Sequence, residues 1–226
     1  MAEPRRPALS LVHRVRRPGV VASVGAGPPL LLLLHGVGSN ELAMASIAGS
    51  FDPRFLVISA RAPTALGPFA FGWLDEVHTG HGLVVDPAEV SGVSAAIIRF
   101  LDEAVDAYAV DLSRVFIAGF SQGGIVALIC LLTAPEVVAG VVCMSGRLPP
   151  EVLPRRASPD RLEGKHALVV HGRDDDTLGV GYGRTASDTL ASLGLTVAYE
   201  ELEMGHTTTD ASLARVSDWL TAQLDR

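Results

Sequence analysis

The chain is poor in lysine, in cysteine and in uninterrupted hydrophobic length. Lys165 is the single lysine among 18 basic residues, which are set against 25 acidic ones for a net charge of −7. No basic face is available to neutralise a phosphate backbone, which argues against a nucleic-acid partner. The two cysteines, Cys130 and Cys143, each fall inside an apolar stretch. They read as small buried hydrophobes of a reduced, cytoplasmic protein, and a disulfide is not expected. No apolar stretch approaches the ~18 residues needed to cross a bilayer, so stable membrane insertion is not expected. The segment Met1-Ala2-Glu3-Pro4-Arg5-Arg6-Pro7 is charged, and Leu9 to Val12 ends at His13-Arg14 before an h-region can develop, which argues against export by a cleaved signal. With Pro4, Pro7 and Pro18 interspersed, Arg5, Arg6, Arg14, Arg16 and Arg17 read as a solvated tail over 1–8 followed by an edge strand.

What is present is a large apolar content in a regular order. At 226 residues and 48% hydrophobic, the chain suffices for one domain over 1–226 with a sizeable core. Strand-like runs occur near Leu11–Val15, Val20–Val24, Leu30–Leu34, Phe55–Ser59, Val115–Phe120, Val138–Met144, His166–Val170 and Thr196–Leu202, alternating after the first few with helical stretches. Continuous apolar runs of this kind fit strands buried on both faces. The expected fold class is therefore α/β, a doubly wound, mostly parallel sheet whose first two strands form an antiparallel edge hairpin. Between Ala88 and Ala109, the residues Val90, Val93, Ile97, Ile98, Leu101 and Val105 form a helical stripe that packs on one sheet face. The Pro- and Arg-rich stretch Leu148 to Pro159 reads as an excursion between sheet strands.

Ser121 is the most informative residue. It lies in Gly119-Phe120-Ser121-Gln122-Gly123-Gly124, after the strand-like Val115 to Ala118 and before the apolar helical stretch Ile125 to Leu132. A serine on a sharp strand-to-helix turn has its hydroxyl pushed above the sheet, and the neighbouring glycines leave room for that turn and for close helix packing. The new helix also points its free N–H groups and positive dipole end at the same place. The alternative, a tight turn whose serine only caps the helix, is weakened by the strand and helix on either side.

A carboxylate and a histidine follow in the order that an α/β-hydrolase requires. Asp174, Asp175 and Asp176 come just beyond the strand-like Ala167 to Val170, and spacing alone leaves all three as candidates. His206 follows the strand-like Val197 to Leu202 and precedes a helix over about Asp210 to Leu224. A serine hydroxyl is a poor nucleophile at neutral pH, so the imidazole must take its proton and later return one to the leaving group. The carboxylate holds the imidazole tautomer and stabilises the imidazolium. Oxyanion donors are expected from the backbone N–H of Gln122, next after the serine, and from Val37 in His35-Gly36-Val37-Gly38, the loop after Leu30–Leu34.

These motifs resemble the phospholipase/carboxylesterase family of small α/β-hydrolases, which includes the acyl-protein thioesterases. The resemblance covers nearly the whole chain and rests on Leu34-His35-Gly36-Val37-Gly38, Gly72-Trp73-Leu74-Asp75, Gly119-Phe120-Ser121-Gln122-Gly123-Gly124, Ser145-Gly146, His171-Gly172 with Asp175, and Gly205-His206. It implies Asp175 as the acid, Val37 and Gln122 as oxyanion donors, and Trp73 with Asp75 along the substrate cleft, against the alternative that Trp73 is a core aromatic. Where family members commonly carry a proline in the acid loop, this chain has Gly179, and Gly179, Gly181 and Gly183 make that loop permissive in φ. The segment Glu76 to Val85 is short for a lid over a long acyl chain.

Other polar residues carry less. His35 and His171 read as packing groups beside the site. His78 and His81, near Asp75 and Glu76, lack an i, i+4 helical face or a cysteine partner and read as a solvated loop, so no metal is expected. Gly179-x-Gly181-x-Gly183 is a poor phosphate signal, and no organic cofactor is expected. The expectation is a monomeric or homodimeric serine hydrolase cleaving small-molecule carboxylic esters or thioesters of short to medium chain through Ser121, Asp175 and His206. The alternatives are a thioesterase or lysophospholipase acting on long acyl chains, and a non-catalytic binding protein of hydrolase fold.

Overall fold

The structure, a computed structural model, describes residues 9–19, 27–79 and 82–226. The expected tail over 1–8 and the strand-like Val20–Val24 lie outside them. In chain order the elements are β1 (His13–Arg16), β2 (Leu30–Leu34), α1 (Glu41–Ser46), β3 (Leu56–Ala60), β4 (Thr64–Gly67), β5 (Ala70–Gly72), β6 (Glu76–Thr79), β7 (Gly82–Val85), α2 (Pro87–Tyr108), β8 (Val115–Phe120), α3 (Gln122–Thr133), β9 (Gly140–Met144), α4 (Pro159–Leu162), β10 (His166–Gly172), α5 (Gly181–Ser192), β11 (Thr196–Leu202) and α6 (Asp210–Leu224).

Among the described residues seven strands form one sheet in the order β1-β3-β2-β8-β9-β10-β11, parallel throughout except for β1. Within the described residues the antiparallel edge is β1 paired with β3, His13 opposite Ala60 and Arg16 opposite Val57. Two short antiparallel hairpins, β4–β5 and β6–β7, lie apart from the main sheet.

The strand sequences explain the layering. In β2, Leu30, Leu32 and Leu34 belong to one core, while Leu31 and Leu33 belong to the other, and all five are fully buried. Successive side chains of a strand point to opposite faces, so an unbroken leucine run requires helices on both sides. The first core is covered by α2, α3 and α5 through residues such as Val90, Ile97, Val126 and Leu190. The second is covered by α1 and α6 through Met44, Leu213, Val216 and Leu220. On α2 the buried stripe includes Phe100 and Ala104, while Ile98 and Val105 of the expected stripe are only half-buried. The carboxyl ends of β2, β8, β10 and β11 open on the same side of the sheet, where ligands of open α/β sheets gather.

Candidate active site

Ser121 follows β8 and precedes the first residue of α3, with φ 53° and ψ −120°. A non-glycine residue seldom adopts such a backbone, and the surrounding structure must hold it there. Its N–H donates to the Met144 carbonyl at 2.8 Å, and its own carbonyl accepts from Gly124 and Ile125 as α3 begins. The neighbouring glycines are required by close approach. A Cβ on Gly119 would lie 2.1 Å from the Gly123 backbone, and one on Gly123 would lie 2.2 Å from the Leu34 carbonyl oxygen. Without side chains at these positions α3 packs directly onto the ends of β2 and β8, and Ser121 is held 8% exposed beyond the carboxyl end of the central strand.

The loop after β10 carries the three aspartates, and only Asp175 turns inward. Its side chain is buried, whereas Asp174 and Asp176 are exposed. One Asp175 oxygen, Oδ1, accepts the backbone N–H groups of Thr177 (3.0 Å) and Leu178 (2.7 Å). The other, Oδ2, lies 2.7 Å from His206 Nδ1. His206 Nε2 in turn lies 2.9 Å from Ser121 Oγ, and the ring packs near Phe120 with centroids 5.0 Å apart. The loops of Asp175 and His206 are bonded to each other, Arg173 N–H to the Leu202 carbonyl and Asp174 N–H to that of Met204. A carboxylate only accepts, so neutral His206 carries its proton on Nδ1 and turns the Nε2 lone pair toward the Ser121 hydroxyl, the geometry of a base drawing a proton.

The loop after β2 is fixed from below by His35. The ring is buried; its Nε2 accepts the Ala62 N–H at 3.0 Å, so Nδ1–H donates to the Gly36 carbonyl at 2.7 Å. Burial holds this imidazole below its ordinary range, in agreement with a neutral ring. Val37, beyond it, is 53% exposed. Gln122 contributes a buried side chain as well as the first N–H of α3: its Oε1 accepts from Trp73 N–H at 2.7 Å, and its Nε2 donates to the Leu74 carbonyl at 2.9 Å.

Trp73 takes the core position of the two considered. It is 3% exposed, its Nε1–H donates to the His35 carbonyl at 2.9 Å, and it does not line the cavity at Ser121. Gln122 captures the Trp73 main chain, and the His35 carbonyl holds the indole N–H. Asp75 is exposed. The acid loop also differs from expectation, since neither Gly179, Gly181 nor Gly183 has positive φ. Gly183 is instead a close-approach position, where a Cβ would lie 2.7 Å from His171 Nδ1.

A cavity of about 390 Å³ opens beside Ser121 and His206. Ala43, Met44 and Ile47 from the region of α1, with Phe120, give it an apolar wall, and Thr177 and Thr208 line it from the acid and histidine loops. Ala43, Met44 and Ile47 carry no motif. The one sequence signal for α1 is Asn40 before Glu41, and Asn40 Oδ1 does cap the helix by accepting the Leu42 N–H at 2.9 Å.

Elsewhere, burial pushes the Cys130 and Cys143 thiols up to about 12, so neither is a nucleophile at neutral pH. Both cysteines are unpaired. Among the described residues no group of His, Cys, Asp and Glu is arranged to hold a metal ion. His78 lies in β6 and His81 falls outside those residues. No helix among them is long and apolar enough to cross a membrane.

A doubly wound sheet with a strained serine on the turn after a central strand, and with a carboxylate and a histidine on the ends of two later strands, defines an α/β-hydrolase. Residues 17–224 match the phospholipase/carboxylesterase family. The chain is 28% identical over 198 residues to the esterase YpfH of Escherichia coli, covering 84% of this chain and 81% of that protein. It is 25% identical over 206 residues to acyl-protein thioesterase 1 of Emericella nidulans, covering 80% and 83%. In fold it is similar to the Bacillus cereus carboxylesterase, with a TM-score of 0.80, 21% identity and 95% of each chain covered. The chain belongs to the phospholipase/carboxylesterase family and is by that membership a carboxylic ester hydrolase.

Proposed function

We propose that the protein cleaves small-molecule carboxylic esters or thioesters through a covalent acyl-enzyme on Ser121, with His206 as general base and acid and Asp175 as its orienting carboxylate. The reading is carried by the continuous hydrogen-bonded chain from Asp175 Oδ2 through His206 to Ser121 Oγ at the mouth of an apolar-walled cavity. In the first half-reaction Ser121 Oγ bonds to the acyl carbon as its proton passes to His206 Nε2. The carbonyl oxygen becomes an oxyanion facing the backbone N–H groups of Val37 and Gln122. The bond to the leaving oxygen or sulfur then breaks, and that atom takes the proton from His206. In the second half-reaction water takes the place of the serine, His206 takes its proton, and the acid is released as Ser121 recovers its hydrogen. The sequence of steps balances without a metal or an organic cofactor.

A cavity of about 390 Å³ lies toward the small end of ligand pockets, which run from roughly 300 to 1,000 Å³. This supports short to medium acyl chains over long ones. Two buried, unpaired cysteines support residence in the reducing cytoplasm.

Hydrolysis of p-nitrophenyl esters from acetate to palmitate, by wild type and Ser121→Ala, tests both parts. Serine-dependent turnover that peaks at acetate to octanoate is the expected result. A maximum at palmitate would replace the short-chain reading with the long-chain one, and activity that persists in Ser121→Ala would refute the assignment of the nucleophile.

A further inference from the structure

The two N–H groups assigned to the oxyanion come from segments far apart in sequence, Val37 in the loop after β2 and Gln122 at the start of α3, yet both segments are fastened to one short stretch, Phe69 to Leu74. On the Val37 side, Gly38 N–H donates to the Phe71 carbonyl and Phe71 N–H donates to the Ser39 carbonyl, each at 2.9 Å. Asn40 Nδ2 donates to the Phe69 carbonyl at 2.8 Å. On the α3 side, the Gln122 carboxamide accepts from Trp73 N–H (2.7 Å) and Leu74 N–H (3.4 Å) and donates to the Leu74 carbonyl (2.9 Å). Phe71 and Trp73 are two residues apart, so the path from one oxyanion donor to the other is short and runs through the end of β5.

We propose that the Gln122 side chain is a positioning residue of the oxyanion hole: through Trp73–Leu74 and β5 it sets the spacing between its own main-chain N–H and that of Val37. The inference rests on the ester-hydrolase reading of the site. Two features single out the side chain for this role. The carboxamide is 1% exposed and both of its ends are engaged by one backbone segment, a pattern that only an amide, with a donor and an acceptor, can satisfy. The Arg61 guanidinium lies 4.6 Å from the centroid of the Phe71 ring and is held by Glu41 at the start of α1, so the far end of the same stretch is anchored from the opposite side. An oxyanion hole stabilises only charge that develops in the transition state, so an error in donor spacing falls on kcat rather than on substrate binding.

Gln122→Met keeps the length of the side chain and removes all three bonds. The expected result is a fall in kcat of roughly 10- to 100-fold on p-nitrophenyl butyrate, the scale of a catalytic misplacement near 1 Å, with KM changed by no more than about twofold. Affinity for butylboronic acid, which forms a tetrahedral anion on a serine, should weaken in proportion to kcat/KM. Asn40→Ser is the gentler variant, because a serine hydroxyl can still cap the helix at Leu42 while the bond to the Phe69 carbonyl is lost without a new charge beside the site. It should lower kcat and boronate affinity together by a smaller factor, and it decides the matter if Gln122→Met does not fold. Unchanged kcat and boronate affinity in a folded Gln122→Met protein, or a loss of kcat with boronate affinity intact, would overturn the inference while leaving Ser121-dependent hydrolysis by the wild type standing. Absence of Ser121-dependent hydrolysis in the wild type would instead overturn the reading of the site, and this inference with it.

Discussion

His171 Nε2 lies 3.5 Å from Asp175 Oδ2, and both side chains are fully buried. The same nitrogen lies 2.7 Å from the Leu178 carbonyl oxygen, an atom that can only accept, so Nε2 carries the proton. That N–H is donated to Leu178, and it also faces the same Asp175 oxygen that His206 Nδ1 approaches. Asp175 is thus surrounded by the N–H groups of Thr177, Leu178, His206 and His171. His171→Leu is close to the imidazole in volume and removes this donor. The expected outcome is a fold that remains intact by circular dichroism and a loss of roughly fivefold in kcat, as the loop that holds Asp175 loses its bond at Leu178, worth about 1 kcal/mol. Retention of full activity would show that the histidine is only a filler.

The inward turn of Asp175 separates it from its neighbours. Asp175→Asn should lower kcat by up to ~10⁴-fold through the wrong imidazole tautomer. Asp174→Asn and Asp176→Asn, at exposed positions, should leave kcat within about twofold. Steady-state kinetics of the three variants on one ester is the check, and a large loss in either exposed variant would shift the acid assignment.

Gly179 and Gly183 lie four residues apart, yet alanine should act on them in opposite ways. A Cβ at Gly179 meets nothing within 4 Å and the backbone has no positive φ, so Gly179→Ala should stabilise by about 0.4–1 kcal/mol through the unfolded chain. At Gly183 the helix would gain about 1 kcal/mol of propensity. The new Cβ, however, comes within 2.7–2.9 Å of the buried His171 ring. Overpacking of this kind costs about 1–3 kcal/mol, so the net effect should be destabilising, with lowered kcat as His171 is pushed from its place beside Asp175. Urea denaturation of both variants measures the two signs.

Glu41 is buried behind the oxyanion loop, and its carboxylate receives Arg61 Nε and a terminal guanidinium nitrogen at 2.6 and 2.7 Å. The hydrogen bonds from Arg61 hold its carboxyl below the ordinary value of 4.5, against the opposing effect of burial. A carboxylate with a depressed folded-state pKa contributes stability that is full above the unfolded value and is lost as pH falls through the folded one. The stability difference between wild type and Glu41→Gln should therefore be constant near neutral pH and shrink below about pH 4.5. Thermal unfolding of both proteins from about pH 7 to pH 3 follows that difference directly, and a gap that widens in acid would contradict the ion pair.

The sequence exposes some of this site far better than the rest, and the reason is the range of the interactions. The turn at Ser121 is legible because its glycines are forced by contacts within one strand–turn–helix unit and with the strands beside it. Spacing narrows the acid to three adjacent aspartates and only the family resemblance picks out Asp175, since the choice depends on which carboxylate meets a histidine 31 residues later. Trp73 is ambiguous for a similar reason: its main chain is held by Gln122, 49 residues on. The cavity wall from α1 has ordinary apolar residues, Ala43, Met44 and Ile47, whose placement follows from packing on the second core and leaves no local pattern. The pairing of β1 with β3 likewise follows from the completed sheet and not from adjacency in sequence.

Lys165 stands just before β10, at the amino-terminal edge of the sheet, where its Nζ donates to the Val138 carbonyl at 3.1 Å. Partial burial lowers its pKa, so more of this amine is unprotonated than for a lysine in water. β10 has seven residues, and at ~3.3 Å each its far end, near the acid loop, lies roughly 20 Å away. An amine-directed reagent therefore finds one lysine side chain, at the end of the sheet away from the cavity, so a surface or dye attached through that side chain leaves the entrance at Ser121 pointing outward.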